Sequence, residues 1–281
     1  MVRMSAIWDR TSEVIRGRAG ILAAIAGLLL FAPSVVNAAI SARNAAAPGH
    51  AGLAALGGLV SLIVAVLAVW AGLAIVAVAS DPDVDRAEAL RRAAPRILPM
   101  IGVALVLGVA FLLLFAPAIA LLAAGGLSGG GLAADGTLAT ADMSAVSPGA
   151  AAAAGLYMIF AVCVLFWVGA RLALLNPVVL HERLGLGAIA RSWRLTRGMG
   201  WRIVGVYLLF LIVLLVVAVA VHSVTLLVFR LLLGPDATAT TAFLARAASA
   251  VVTSGAAIVS GVFTAQLYQA VSGREAAQTF A

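Results

Sequence analysis

Arginine and tryptophan residues concentrate in one stretch between two long apolar runs, residues 171–203, RLALLNPVVLHERLGLGAIARSWRLTRGMGWRI. Guanidinium groups form paired hydrogen bonds to phosphate oxygens, and tryptophan rings favour the lipid–water boundary. This chemistry predicts contacts with lipid phosphates or a membrane partner by Arg171, Arg191, Trp193, Arg194, Arg197, Trp201 and Arg202. A second interpretation stays open, in which the arginines only orient the chain and the tryptophans mark the interface.

A polar hinge links the apolar run to this Arg-bearing segment, and its predicted structural residues are Asn176, Pro177, Glu182 and Gly198. Pro177 frees a backbone carbonyl, which an arginine can satisfy. Arg171 therefore either extends to the headgroups or pairs with Glu182 to hold the bend, and we favour the pair. On the following helix, Leu186, Ile189 and Trp193 are predicted to share one face, with Arg191 and Arg194 pointing away from it.

Groups for metal or nucleophilic chemistry are scarce. The three histidines fall on different segments, and His181-Glu182 lacks the second histidine of an HExxH motif. We therefore predict no cofactor, no metal site and no enzymatic activity. An intramembrane enzyme acting on lipids remains an alternative that would require His181 and Glu182 to face a closed metal-binding pocket. Cys163 has no cysteine partner and is predicted to pack in the core.

Composition identifies the environment that must position these residues. Hydrophobic residues make up 64% of 281 positions and charged residues 10%, whereas a soluble domain needs about a quarter charged. The apolar runs are long enough to cross a bilayer as helices and do not alternate as barrel strands do. The predicted class is all-α, a polytopic integral membrane protein with six transmembrane helices. The arginines flank these runs, so we predict no nucleic-acid partner despite the basic pI.

The runs divide the chain into a cytoplasmic segment 1–18, a transmembrane domain 19–272 and a cytoplasmic tail 273–281. We expect residues 1–38 to remain uncleaved, although a signal-peptidase-like site ends near Asn37. Asp81 is predicted to cap the first interfacial helix, with Pro82 in its first turn. The predicted spans are about 19–40, 51–79, 97–124, 151–175, 203–229 and 242–271, with Arg-bearing interfacial helices at about 81–96 and 185–198 and a flexible outer loop at 125–150.

Arginine distribution predicts the orientation. The N-terminal segment, the 80–99 and 181–202 connections and the tail hold 14 of the 18 arginines, which places both termini in the cytoplasm. No ionisable residue lies in mid-span, which argues against a proton- or sodium-coupled pump. A passage lined by the hydroxyls of Thr253, Ser254 and Ser260 stays open as an alternative.

A parallel internal repeat is also indicated. The second run, its Arg-bearing helix and the third run align with the fourth run, its Arg-bearing helix and the fifth. Ala89-Leu90 then corresponds to Ala188-Ile189, and Arg92 to Arg191.

The Arg-rich segment resembles a known family signature through Asn176-Pro177-Val178-Val179, Glu182, Ala188, Arg191-Ser192-Trp193-Arg194-Leu195, Arg197-Gly198 and Trp201-Arg202, together with the ending Tyr268 and Arg274-Glu275. It is similar to the membrane domain of some glycerophosphoryl diester phosphodiesterases and of stand-alone bacterial proteins, although Gln269 stands where an acid is common. The resemblance implies the membrane module without the soluble catalytic barrel.

The expected function is a non-enzymatic module of the bacterial inner membrane that assists lipid or envelope traffic. Its expected partners are anionic lipids, a membrane protein or a second copy of itself. The alternative is a permease-like subunit that moves a lipid or a peptide.

Overall fold

The computed structural model describes residues 4–46, 51–127, 145–234 and 237–279. Throughout these ranges the regular structure is helical, and no strand occurs in them. Six helices are long and apolar enough to cross a membrane, which confirms the predicted all-α, six-span fold class. Their bounds are Met4–Asn44, Ala55–Ser80, Arg86–Ala124, Pro148–His181, Gly200–Leu233 and Thr240–Gly273.

Ten α-helical segments make up these spans and their connections. They are α1 (Met4–Ala26), α2 (Ala32–Ala46), α3 (Ala51–Ser80), α4 (Arg86–Ala93), α5 (Ile97–Ala124), α6 (Pro148–Arg171), α7 (Leu175–His181), α8 (Gly187–Leu195), α9 (Gly200–Leu233) and α10 (Thr238–Thr279) among the described residues. The short α4 and α8 correspond to the two predicted interfacial helices, but Arg96 lies in a 3-10 turn after α4 and Arg197 in the turn after α8. Most of the predicted outer loop, residues 128–144, lies outside the described residues.

The first span is one long helical path with two irregularities. Arg18 departs from helical geometry (φ −127°, ψ 19°) and kinks α1. A π-helical turn, Gly27–Phe31, joins α1 to α2 immediately before Pro33, which cannot donate a backbone hydrogen bond. The predicted cytoplasmic segment 1–18 is helical from Met4, continues into the span and packs on α10, where the ring centroids of Trp8 and Phe263 lie 6.3 Å apart.

The second half of α3 forms the centre of the core. Every residue from Leu73 to Val78 is at most 3% exposed. On α10, a Cβ added to Gly261 would lie 2.7 Å from Ile75 Cγ2, so a glycine is needed there for α3 and α10 to approach. In contrast, α5, α6 and α9 expose large apolar side chains along their outer faces, as lipid contact requires. Cys163 belongs to that exposed surface, so its predicted core role is wrong.

The corner between α3 and α5 differs from prediction in its cap. Asp85, rather than Asp81, precedes the helix and accepts a 2.7 Å hydrogen bond from the Glu88 backbone nitrogen. Asp81 lies further from the helix start and forms a 2.9 Å ion pair with Arg92 instead. The correct cap was obscured because SDPDVD offers three aspartates, and each of them is an acceptable capping residue.

Candidate functional site

Side chains from α1 and α10 satisfy carbonyls at the C-terminal end of α3 and in the segment that follows it. The last carbonyls of any helix lack intrahelical partners and need other donors. Arg18 donates to the carbonyls of Val78 and Asp81 at 2.6 Å, and to that of Val84. From α10, Gln266 donates to Ala79 O at 2.8 Å and Gln269 to Ser80 O at 2.7 Å. A carboxylate at position 269 has no proton to donate, so glutamine suits this contact.

Glu182 joins three elements at the same end of the bundle. Arg191 Nε on α8 lies 2.8 and 3.0 Å from its two carboxylate oxygens. Tyr268 on α10 donates its hydroxyl to Oε1 at 3.1 Å. The Tyr268 ring stacks on His181, with centroids 5.6 Å apart and planes 8° from parallel. The network therefore fixes α7 against α8 and α10.

His181 also connects this network to α3. Its Nε2 lies 3.0 Å from Ser80 Oγ. Ser80 Oγ donates its single proton to Val76 O at 2.8 Å, so it accepts from the protonated Nε2. The imidazole is thus held on one edge by Ser80 and on one face by Tyr268.

Arg171 lies between two tryptophans rather than beside Glu182. Its guanidinium carbon is 5.4 Å from the Trp167 ring and 5.5 Å from the Trp193 ring, within cation–π range. Its NH1 donates to Thr196 O at 3.2 Å, and Ser192 Oγ donates to its own carbonyl at 2.8 Å. The expected Arg171–Glu182 pair is wrong, because Glu182 bonds to Arg191. Arg171 instead anchors the end of α6 to α8.

The orientation of α8 also differs from prediction. Its buried face carries the small residues Ala188 and Ser192 together with Leu195, and Arg191 turns inward on that same side. Leu186 was predicted to share one face with Ile189 and Trp193, and it is 57% exposed, whereas Ile189 and Trp193 are half-buried. The small Ala188 and Ser192 allow α8 to pack closely against α6 and α7.

The predicted arginine set is therefore divided between two roles. Arg171 and Arg191 bond within the protein, whereas Arg194 and Arg197 are exposed. Neither of these two guanidiniums forms a hydrogen bond or ion pair with any residue that the structure describes. Trp201, at the start of α9, is 80% exposed, and Arg202 beside it is exposed. The exposed group on and after α8 is called the α8 outer face, and it consists of Arg194, Arg197 and Trp201.

The predicted hinge residues lie at the breaks in this region. Helix α6 ends at Arg171 and α7 begins at Leu175, with Asn176 and Pro177 in its first turn. Gly198 adopts a left-handed conformation (φ 84°) between α8 and α9, which glycine allows without strain. Arg183 adopts φ 58°, and among the described residues it alone does so without being glycine.

A polar cavity of about 510 Å³ opens at this end of the bundle, between α3, α4 and α7. The chain places Arg92, Arg96 and Arg183 around it, together with His181, Ser80 and one carboxylate, Asp81. The predicted residues Arg171, Arg191 and Arg194 do not line it. Sequence reasoning missed this cavity because its arginines lie about 90 residues apart in the chain, and nothing local to either segment indicates the other.

The charge pattern of the cavity includes one compensated pair. The Arg92 guanidinium, through its hydrogen bond to Asp81, holds the pKa of that carboxyl below its usual value, although burial opposes the shift. Arg92 also donates to Glu88 at 2.7 Å. Arg96 and Arg183 have no such carboxylate among the described residues, so their charge is available to an incoming anion.

Among the described residues, no group of three metal-ligating side chains occurs, so the His181/Glu182 pair lacks further ligands there. The alternative of a passage lined by the hydroxyls of Thr253, Ser254 and Ser260 stays open. Thr253 donates to the Ser249 carbonyl of its own helix at 3.2 Å, and Ser254 is buried.

Comparisons with known proteins place the chain in a family. No curated protein and no solved structure shows a match. The model of a family described as "Domain of unknown function (DUF7847)" matches residues 9–271, which is almost the whole chain. The finding does not connect the chain to the phosphodiesterase membrane domains, and that resemblance stays a prediction. The chain belongs to the DUF7847 family of domains of unknown function.

Proposed function

We propose that the protein is a non-enzymatic membrane module that binds anionic lipid headgroups at the α8 outer face and assists lipid or envelope traffic. The single observation that supports this proposal is the exposure of Arg194 and Arg197, without carboxylate partners in the described structure, beside Trp201. Guanidinium groups bind phosphate oxygens in pairs, and a tryptophan at this level lies among the headgroups.

The division of the arginines supports lipid contact over a purely topological role. Arg18, Arg171 and Arg191 donate hydrogen bonds within the protein. Arg194 and Arg197 have no structural role of this kind. Arg194 lies on α8, which is held by contacts with Glu182 and Arg171, and Arg197 lies in the turn that follows α8. A backbone held in this way favours binding over loose electrostatic attraction.

The arginine distribution further supports a location in the bacterial inner membrane, with the arginine-rich end and both termini in the cytoplasm. The inner leaflet is anionic there, and each arginine near it contributes about 1 kcal/mol of binding free energy. Six apolar spans anchor the α8 outer face at this surface.

The test is native mass spectrometry of the protein extracted gently from its own membrane, with the double variant Arg194→Gln/Arg197→Gln beside the wild type. Two arginines at about 1 kcal/mol each predict an affinity loss of about tenfold or more for phosphatidylglycerol and cardiolipin. The matched control is Arg230→Gln/Arg246→Gln, which removes two exposed arginines from α9 and α10. Equal lipid retention in wild type and in Arg194→Gln/Arg197→Gln would refute the proposal and leave these arginines as orientation signals.

A further inference from the structure

We propose that the polar cavity between α3, α4 and α7 is a binding site for a phosphomonoester group, distinct from the α8 outer face. Three arginines and one carboxylate line it, which leaves an excess of two positive charges. A phosphomonoester dianion matches that excess, and its oxygens match the guanidinium fork. The volume of about 510 Å³ accommodates the phosphate together with a small polyol such as glycerol.

Part of the cavity wall is held by long-range contacts. His181 Nε2 lies 3.0 Å from Ser80 Oγ, and the Tyr268 ring stacks on the His181 ring. Arg92 forms ion pairs with Asp81 and with Glu88. Binding would therefore require little ordering of His181 and Arg92, which lowers its entropic cost, whereas the exposed Arg183 becomes ordered by the ligand.

Backbone strain at Arg183 is an independent observation. A left-handed conformation is unfavourable for a side chain with a Cβ, yet arginine holds it although glycines stand at 185 and 187. Arg183 directly follows Glu182, the C-cap of α7, and a left-handed residue at that position commonly ends a helix. Glycine is the usual residue there, whereas arginine at this position brings a guanidinium to the lining of the cavity.

Arg92 has a specific part in the proposed binding. In the structure it is bonded to Asp81, a carboxylate that occupies the place of an anionic ligand. An incoming phosphate competes with Asp81 for this guanidinium, while Arg96 and Arg183 supply uncompensated charge. The ligand is either the headgroup of a phosphatidic-acid-type lipid or a soluble phosphomonoester, because both present the same dianion.

The test is isothermal titration calorimetry of the full chain in lipid nanodiscs. One arm titrates glycerol phosphate and inorganic phosphate into phosphatidylcholine nanodiscs. The other compares protein-bound phosphatidic acid with phosphatidylcholine by native mass spectrometry. We expect saturable binding in at least one arm, and the responding arm identifies a soluble or a lipid source.

Variants then connect binding to the cavity. Arg96→Gln/Arg183→Gln is expected to weaken binding at least about tenfold, as loss of paired charged hydrogen bonds implies. Arg194→Gln/Arg197→Gln removes the same charge from the α8 outer face and should leave phosphomonoester binding unchanged, so this site can fail while the proposed lipid contact holds. Arg183→Gly relieves the strain and keeps the fold, so it should weaken binding while raising the unfolding midpoint. Absence of saturable binding in both arms, or equal loss in both double variants, would overturn the proposal.

Discussion

Replacing Glu182 by glutamine should destabilise the packing of α7, α8 and α10, because the Glu182 carboxylate bonds to Arg191 of α8 and to Tyr268 of α10. Glutamine keeps the shape but removes the negative charge that Glu182 presents to Arg191. The two side chains are only 22% and 21% exposed, so water compensates poorly. Hydrogen bonds to charged groups contribute about 1.5–3 kcal/mol, and partial exposure places this pair at the lower end. We expect the free energy of unfolding to fall by about 2 kcal/mol.

A double-mutant cycle isolates the pair from other effects. Glu182→Gln, Arg191→Gln and the double variant are unfolded reversibly from detergent micelles by increasing dodecyl sulfate, with tryptophan fluorescence as the readout. The coupling energy should be about 1.5–2 kcal/mol. The matched control is the cycle through Glu88 and Arg91, an ion pair whose arginine is 81% exposed and whose coupling should be indistinguishable from zero.

The same cycle tests the inward orientation of Arg191. If Arg191 pointed to the headgroups, Glu182→Gln and Arg191→Gln would act independently and the coupling would vanish. Tyr268→Phe adds a further check, since it removes the 3.1 Å hydrogen bond from the hydroxyl to Glu182 Oε1, and loss of that bond should cost about 1 kcal/mol. A coupling energy equal to that of the Glu88–Arg91 control would refute the packing of α8 described above.

Two further predictions concern the α3 side of the bundle. Gly261→Ala should destabilise by about 1–2 kcal/mol, because the new Cβ meets the branched Ile75 Cγ2, which rotates away poorly. Gly255→Ala on the same helix meets nothing within 4 Å and should be neutral or slightly stabilising, and equal unfolding midpoints for the two variants would contradict the close α3–α10 approach. The Asp81–Arg92 pair should make the free energy of unfolding depend on pH. The folded state lowers the pKa of Asp81 from 3.8, so the stabilisation by this carboxylate is fully present above pH 3.8. It is lost as the pH falls through the lower pKa of the folded state. Unfolding midpoints of the wild type and Asp81→Asn should therefore differ by a constant amount at neutral pH and converge only below pH 3.8, and convergence near neutral pH would show that the pair does not form.

The six spans could be predicted because hydropathy is a local property, and each run contains its own signal. Contacts between distant segments could not. Gln266 reaches Ala79 across 187 residues, and no pattern near either position indicates the other. The orientation of α8 failed for a different reason. Arg191 was expected to point away from the apolar face together with Arg194, whereas it turns inward to Glu182 beside the small, buried Ala188 and Ser192. Arg183 was hidden as well, since its sequence context does not reveal a left-handed backbone.

The indicated internal repeat gains a physical basis from the two acid–arginine pairs. In the first unit, α3 to α5, Arg92 bonds back to Asp81, which follows the end of a span. In the second, α6 to α9, Arg191 bonds back to Glu182, which follows α7 in the same way. The aligned Ala89 and Ala188 are both fully buried. In each unit, an ion pair between an acid after the span and an arginine on the following short helix holds the two helices together.

The differences between the units indicate where function diverges. In the first unit, Arg18 of α1 and Gln266 and Gln269 of α10 donate to carbonyls at the end of α3, and the polar cavity lies next to these contacts. In the second unit Tyr268 of α10 takes that place, and the unit adds Arg194 and Arg197 on an outer face. The Asp81–Arg92 and Glu182–Arg191 pairs hold the helix connections of both units. Arg194 and Arg197 are therefore not needed for these connections. A chain that kept Asp81, Arg92, Glu182 and Arg191 but lost Arg194 and Arg197 should fold normally and lose only the proposed lipid contact.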